Sequence, residues 1–206
     1  MTAAGTVRNR RWRITGGVLA TAALAGCSAG TGGTPYPVET AATAASQSAK
    51  AAQLPQRPAD LPLQGVDLCE IFPQVRLDEL KITSLPRSVT AATDGPTCVF
   101  DADGAEPVHS YHVRAVQADL DQWITGARKK NSMTTEPKTI GGYPALTNYR
   151  AAGEPADCET LVGVAKGQTL AVQTFAITRG KLTQPQLCDM SAHAADLALQ
   201  SLKARN

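Results

Sequence analysis

The sequence predicts an α+β domain in which helices pack on an antiparallel sheet of about five or six strands. Two observations lead to this prediction. Apolar residues recur at helical spacing in three segments, at the start, middle and end of the domain. The strand-like segments between them are joined by short turn signals, such as Asp103-Gly104, Gly141-Gly142 and Lys166-Gly167. Turns of this kind join antiparallel neighbours, so the α+β class follows.

Before the domain, the chain begins with an export signal. Four arginines precede a mostly apolar run over residues 14–25, which is too short to span a bilayer stably. The order Leu24-Ala25-Gly26-Cys27 is typical of a lipidation and cleavage signal, because the thiol comes directly after small residues. We therefore expect residues 1–26 to be removed and Cys27 to be lipidated. The alternative is a conventional signal peptide with an incidental cysteine. Arg10-Arg11 also allows a twin-arginine signal, but Trp12-Arg13 follow where that signal has less charge and more apolar residues, so export of the unfolded chain is the default expectation.

Lipidation of Cys27 would hold the mature chain on the extracytoplasmic face of the cell membrane. Two or more acyl chains give stable anchoring. No later segment approaches the ~18 consecutive apolar residues that a span needs. After Cys27, residues up to 60 are mostly Ala, Thr, Ser, Gly, Gln and Pro without hydrophobic period, so 27–60 is predicted to be a lipidated, disordered stalk. Residues 61–206 then suit a single globular domain.

Charge argues against a nucleic-acid partner. The whole chain has 20 Lys and Arg and 18 Asp and Glu, a net charge of +2. Removing the four arginines of the leader leaves 16 basic residues against 18 acidic ones, a net charge of −2. A nucleic-acid-binding domain needs a clustered basic face. We therefore expect no nucleic-acid partner.

The first part of the domain predicts a helix, a loop and two strands. Asp67 can cap a short helix whose partly helical pattern continues to Leu80, with an interruption at Pro73. Residues 83–96 are largely polar and predict a loop. The two strands are predicted over Thr97–Ala102 and Val108–Val116.

A second helix is predicted in the middle of the domain. Asp119 and Gln122 resemble a capping box, and an apolar stripe follows them. Its members are Leu120, Trp123, Ile124 and Ala127. Arg128-Lys129-Lys130 would complement the dipole at the helix end, rather than form a lipid-headgroup patch. Trp123 lies on the stripe, which favours core packing over stacking on a ligand.

Four strands and a helix complete the predicted domain. The strands are predicted near residues 135–140, 143–150, 158–165 and 168–178. The last of these strands is apolar on both faces, which indicates a central position in the sheet. The final helix begins at a capping box formed by Thr183 and Gln186, and its apolar stripe continues to Leu202.

Four cysteines remain when Cys27 is assigned to the lipid, namely Cys69, Cys98, Cys158 and Cys188. An even number of cysteines in an extracytoplasmic protein predicts disulfides. Zinc binding is the alternative, but no two of the four lie within ten residues of each other. The chain therefore has no CxxC-type zinc knuckle.

Several motifs stand in an order that resembles a known family. After the lipidation motif and stalk come Asp67-Leu68-Cys69, Cys98-Val99-Phe100, Gly141-Gly142-Tyr143-Pro144-Ala145, Cys158 at a strand start and Cys188 in the closing helix. This order resembles actinobacterial lipoproteins with the domain of unknown function 3558, across residues 61–206. Phe100 stands where that family tends to have Trp, and Phe72-Pro73-Gln74 interrupts the usual first helix. The resemblance implies location and architecture, and it assigns no activity to any residue.

With this resemblance, we predict one pairing of the cysteines among the three that four cysteines allow. The predicted disulfides are Cys69–Cys98 and Cys158–Cys188. They would tie the first helix to the first strand and the last helix to a strand of the sheet.

No catalytic or metal-binding motif is found in the sequence. It has no Gly-x-Ser-x-Gly elbow, phosphate-binding loop or His-Glu-x-x-His helix. His109 and His112 would point to opposite faces of a strand. The acids of Asp101-Ala102-Asp103-Gly104 and Glu106 lack the ligand spacing of a calcium loop and favour a turn. We therefore expect no catalytic residues, no metal and no cofactor.

These patterns favour a non-catalytic cell-envelope lipoprotein that binds or senses a small ligand or an envelope protein. Its membrane contact would be the lipid on Cys27, and the ligand-binding residues remain unknown from the sequence. A lipid or glycolipid carrier is an alternative that needs a deep apolar cavity. An enzyme, or an accessory subunit of an envelope enzyme, is another. It would bring together two of Asp157, Glu159 and Asp189 with raised pKa values.

Overall fold

The computed structural model describes residues 54–89 and 94–205. These residues all fall in one compact unit, Gln47–Asn206. The lipidation motif Leu24-Ala25-Gly26-Cys27 and the leader lie outside the described residues, as does the predicted stalk up to residue 53.

Within residues 54–89 and 94–205, seven antiparallel strands form one sheet. In chain order they are β1 (Arg87–Val89), β2 (Thr97–Ala102), β3 (His109–Val116), β4 (Met133–Ile140), β5 (Tyr143–Arg150), β6 (Asp157–Ala165) and β7 (Gln168–Ala176). Across the sheet they lie in the order β1-β2-β3-β7-β6-β5-β4. The expected α+β class is confirmed, but the expected number of five or six strands is wrong. Strand β7 lies at the centre of the order, as its apolar faces predict.

The additional strand is β1, which lies inside the predicted loop 83–96. It has only three residues and pairs with β2, with Arg87 opposite Val99. Two of its three residues are exposed. So short and polar a strand has no hydrophobic alternation to mark it, and it forms because β2 offers an edge.

The first helix divides into a 3-10 turn (Leu68–Glu70) and α1 (Gln74–Glu79). The carboxylate of Asp67 accepts a hydrogen bond from the Cys69 backbone N–H at 2.8 Å, which confirms the predicted cap. Pro73 stands at the start of α1 because it has no N–H to lose there.

The middle helix is shorter than predicted. Helix α2 (Asp121–Ile124) is a single turn, and no side chain caps its first residue. The predicted cap, Asp119, instead accepts a hydrogen bond from the Gly167 backbone N–H at 2.7 Å. At the other end the Gly126 N–H bonds to the Asp121 carbonyl, and the helical pattern stops there. A contact with a distant turn thus replaces the expected capping box.

Helix α3 (Gln184–Arg205) begins at the predicted capping box and covers one face of the sheet. The Thr183 N–H donates to Gln186 Oε1 at 2.9 Å, and the Gln186 N–H donates to Thr183 Oγ1 at 3.4 Å. The main core lies between α3 and the sheet. No helix in residues 54–89 and 94–205 is long and apolar enough to cross a membrane.

A smaller apolar cluster lies on the other face of the sheet. Leu120 and Trp123 from the α2 region pack there against Leu146, Leu161 and other strand residues. Trp123 is buried, which confirms its predicted place in the core. Leu54, ahead of the predicted domain start, packs partly against the same cluster.

Two disulfides join the predicted pairs. Cys69–Cys98 ties the 3-10 turn to β2, and Cys158–Cys188 ties β6 to α3. Their Cα atoms lie 5.2 and 5.0 Å apart. Both crosslinks therefore connect a helical element to the sheet.

Candidate functional site

The strand register brings one residue from each strand into a single row across the sheet. Because side chains alternate along a strand, all seven residues share a face. It is the face opposite α3, since Ser191 of α3 contacts Thr160, the next residue after Glu159. The row consists of Arg87, Val99, His112, Gln173, Glu159, Asn148 and Thr135.

A cleft of about 460 Å³ lies on this face, between the sheet and the segment from α2 to β4. Its lining includes Trp123 and Met133 from that segment. Charged side chains line most of the rest, and they are Asp94, Arg114, Arg128, Lys130, Arg150, Asp157 and Glu159. The cleft is therefore polar, and its side chains carry a formal charge of +1.

An ion pair between Arg114 and Glu159 forms the floor of the cleft. The two side chains are only 18% and 10% exposed. Arg114 Nη2 also donates to Gln173 Oε1 at 3.0 Å, and Asn148 Nδ2 donates to Glu159 Oε2 at 3.1 Å. Both carboxylate oxygens of Glu159 thus have a donor, and the network joins β3, β5, β6 and β7.

Burial raises the pKa of Glu159 above its ordinary value. The positive charge of Arg114 and the hydrogen bond from Asn148 act in the opposite direction but do not cancel the effect of burial. A carboxylate away from water loses hydration that these partners replace only in part.

Asp94, in the loop between β1 and β2, bridges two arginines at the side of the cleft. Its Oδ1 lies 2.9 Å from Arg128 Nη1, and its Oδ2 lies 3.5 Å from Arg114 Nη1. The guanidinium of Arg128 lies over the Trp123 ring, 5.0 Å from its centroid. Two guanidinium groups from different parts of the chain thus converge on one carboxylate.

Two further cations line the cleft without a partner among the described residues. Lys130 and Arg150 are exposed and form no ion pair there. The third acid, Asp157, accepts a hydrogen bond from Gln173 Nε2 at 2.6 Å. The carboxylates of the cleft are therefore bonded, whereas positive charge is left over.

Of the three acids considered for an enzyme, the structure brings two together. Asp157 and Glu159 line the cleft, because they are two residues apart on β6. Asp189 lies elsewhere, in a shallow groove with Glu79 and His193.

The histidines and the Asp101–Gly104 turn show no metal site. His109 and His112 face opposite sides of β3, as predicted: His109 Nε2 lies 3.1 Å from the Tyr111 hydroxyl, and His112 packs on Phe175. Asp103 accepts two hydrogen bonds from Thr83, which fits the expected turn. In the part of the chain that the structure describes, no three His, Cys, Asp or Glu residues are placed to hold a metal ion.

Sequence reasoning did not single out Asp94, Arg114, Asn148 or Gln173 as site residues. Three of them stand in strands that are largely buried, Arg114 in β3, Asn148 in β5 and Gln173 in β7. A polar residue on the inner part of a buried strand is the signal that could have identified them.

The chain matches the family model described as a protein of unknown function, DUF3558, over residues 22–201. It belongs to the DUF3558 family. The match includes every residue of the cleft and both disulfides, so the site lies within the DUF3558 region. Comparison with curated proteins and comparison with solved structures each found no match.

Proposed function

We propose that this DUF3558 protein is a lipid-anchored cell-envelope protein whose domain binds a small polar ligand and does not catalyse a reaction on it. The observation that supports this most directly is the cleft with the buried Arg114–Glu159 pair in its floor. Its volume of about 460 Å³ is within the range of small-molecule sites, roughly 300–1,000 Å³. A concave site of this size suits a small ligand better than a flat protein interface does.

The bonding of the acids favours binding over catalysis. A general acid or base must be free to exchange a proton with the substrate. Both oxygens of Glu159 are held by Arg114 and Asn148, and Asp157 is bonded to Gln173. The raised pKa of Glu159 is thus explained by its structural burial, and a catalytic pair with Asp189 is not formed.

The polarity of the cleft favours a polar ligand over a lipid. A carrier of acyl chains needs a deep apolar cavity, because buried methylenes supply the binding free energy. The cleft of this chain is instead lined by seven charged side chains. We therefore prefer the binding of a polar ligand to the alternative of a lipid or glycolipid carrier.

The proposed location in the cell envelope is supported by the sequence and by the disulfides. Leu24-Ala25-Gly26-Cys27 has the residue order of a lipidation signal, and the other four cysteines are paired. Disulfides persist in oxidising compartments, which supports an extracytoplasmic domain. The membrane is its proposed partner, through the lipid on Cys27. We propose no nucleic-acid partner.

Lipidation of Cys27 is tested by feeding a labelled palmitate analogue to bacteria that express the full chain. We expect label in the membrane-bound protein and none in the Cys27→Ala variant, with Ser28→Ala as the matched control that keeps the label. Label in Cys27→Ala, or none in the parent, would exclude lipidation at Cys27.

Ligand binding is tested by native mass spectrometry of the protein extracted from its own envelope. A retained small molecule should be absent from Ala127→Trp, which fills the cleft at an exposed lining residue. Lys166→Trp, in the turn between β6 and β7, should retain it. A bare mass for the parent protein, or equal retention in both variants, would contradict binding in the cleft.

A further inference from the structure

We infer that the cleft recognises the carboxylate of a small organic acid, which takes the place that the Asp94 carboxylate occupies between Arg114 and Arg128. This inference rests on the proposed binding function and adds the chemical class of the ligand. The chain itself supplies the template, because a carboxylate already lies between the two guanidinium groups. Arginine is suited to this task, since its planar donors match the two oxygens of a carboxylate.

Asp94 can be replaced without loss of the site. Its side chain is 36% exposed, so its carboxylate can turn to water when another one arrives. Arg114 stays oriented, because Glu159 and Gln173 hold its Nη2 independently of Asp94. Arg128 stays against the Trp123 ring. The two donors of the site are thus fixed by contacts that do not involve Asp94.

The unpaired cations of the cleft indicate a ligand with more negative charge than Asp94 alone supplies. Lys130 and Arg150 line the same cleft and have no ion-pair partner among residues 54–89 and 94–205. The three acids of the cleft are already bonded. A dicarboxylate can therefore place one group between Arg114 and Arg128 and the other near both Lys130 and Arg150. Such a ligand gains charge-assisted hydrogen bonds. Of the three acids of the cleft, Asp94 alone gives up its arginine partners to the ligand, and its side chain is partly exposed to water.

Binding is measured with succinate as the probe on the full-length chain. Trp12→Phe leaves Trp123 as the only tryptophan of the chain, which has two. Because Arg128 lies over Trp123, a ligand that contacts Arg128 changes the emission of that indole. We expect a saturable change with succinate at constant ionic strength. Inorganic phosphate, tested in parallel, should bind at least tenfold more weakly.

Calorimetric titration of variants assigns the contacts. Arg128→Gln and Arg150→Gln should each weaken succinate binding about tenfold, the loss of one charge-assisted hydrogen bond. Asp94→Asn should strengthen it several-fold, because the internal competitor loses its charge. Arg87→Gln is the matched control: it removes a cation of the same sheet face, paired with Asp101 outside the cleft, and should leave binding unchanged. Thermal unfolding checks that each variant is folded. If Arg128→Gln does not fold, Lys130→Gln takes its place, because Lys130 is an exposed cation of the same cleft and its loss should also weaken succinate binding.

The outcomes separate this inference from the proposed function. No saturable binding of succinate, or no gain from Asp94→Asn, overturns the carboxylate site, and tighter binding of phosphate assigns the cleft to phosphate instead. If the envelope-extracted protein retains a neutral or cationic molecule that Ala127→Trp loses, the binding function stands and the carboxylate inference fails. If nothing is retained and nothing binds, both fail.

Discussion

Ser191 of α3 donates its hydroxyl hydrogen to the carbonyl oxygen of Val172 in β7, at 2.8 Å. Its Oγ also lies 2.9 Å from Thr160 Oγ1 in β6. All three residues are fully buried in the interface between α3 and the sheet. Because a buried hydroxyl without a partner costs free energy, this polar contact favours one position of α3 on the two strands.

Ser191→Ala should lower the free energy of unfolding by about 1–3 kcal/mol, because it leaves the Thr160 hydroxyl without this partner. Denaturant titration measures the loss. Ser201→Ala on the same helix is the control. Within the described part of the chain, its hydroxyl bonds to the Leu197 carbonyl one turn earlier on the same helix, so a change within about 0.5 kcal/mol is expected. Equal losses in the two variants would show that the contact to the sheet adds nothing.

Elements with a local signal could be predicted from the sequence, and those that depend on distant contacts could not. The capping box of Thr183 and Gln186 is formed by residues three apart, and the structure has it as predicted. The predicted capping box of α2 does not form, because the Asp119 carboxylate bonds instead to Gly167, 48 residues further along the chain. Strand β1 likewise forms only by pairing with β2.

The candidate site follows the same rule. Asp157 and Glu159 could be placed together because alternate residues of one strand share a face. That Glu159 meets Asn148 depends on the register of β6 with β5, and that it meets Arg114 depends on the registers of β7 with both β6 and β3. Strand order and register are properties of the whole sheet, which no single strand encodes. The sequence thus contained the charged residues but not their grouping.

The buried carboxyl of Glu159 should make stability depend on pH in a direction unusual for an acid. Burial raises its pKa in the folded state above the ordinary 4.5. Its contribution to stability is therefore complete below pH 4.5 and is lost as the pH rises through the folded pKa. Unfolding free energies of Glu159→Gln and the parent, measured from pH 4 to 7, should show the variant gaining relative to the parent as the pH rises.

Asp103→Asn is the control, because the stability contribution of Asp103 should change with pH in the opposite direction to that of Glu159. The hydrogen bonds from Thr83 lower the pKa of Asp103 below its ordinary 3.8. Its contribution is present above pH 3.8 and is lost as the pH falls through the folded pKa. From pH 4 to 7 the difference between this variant and the parent should therefore stay constant, and it should shrink only when the titration is continued below pH 3.8. A constant difference between Glu159→Gln and the parent from pH 4 to 7 would contradict the raised pKa of Glu159.

The two disulfides should contribute nearly equally to stability. They close loops of similar length, with sequence separations of 29 and 30 residues. The chain-entropy relation gives about 3–4 kcal/mol for each. Replacing Cys69 and Cys98 together by Ala should thus cost as much as replacing Cys158 and Cys188, to within about 1 kcal/mol, in chemical denaturation. A much larger loss for the second pair would show that packing beside α3, where Gln184 contacts Cys188 Sγ, outweighs loop entropy.

Gly95 should be far less tolerant of alanine than Gly167, although both have positive φ. At Gly95, with φ of +111°, an added Cβ would lie 2.4 Å from the Ala115 carbonyl oxygen, which is backbone of β3. The neighbouring hydrogen bond from the Ala115 N–H to the Pro96 carbonyl, 3.1 Å long, keeps the two segments close. At Gly167, φ is +68° and no atom lies within 4 Å of the added Cβ.

We expect Gly167→Ala to cost about 1 kcal/mol of conformational strain. Gly95→Ala should cost about 3 kcal/mol or more, because backbone must move as well. Thermal unfolding of the two variants compares them directly, and equal losses would show that β3 and the loop before β2 can separate freely.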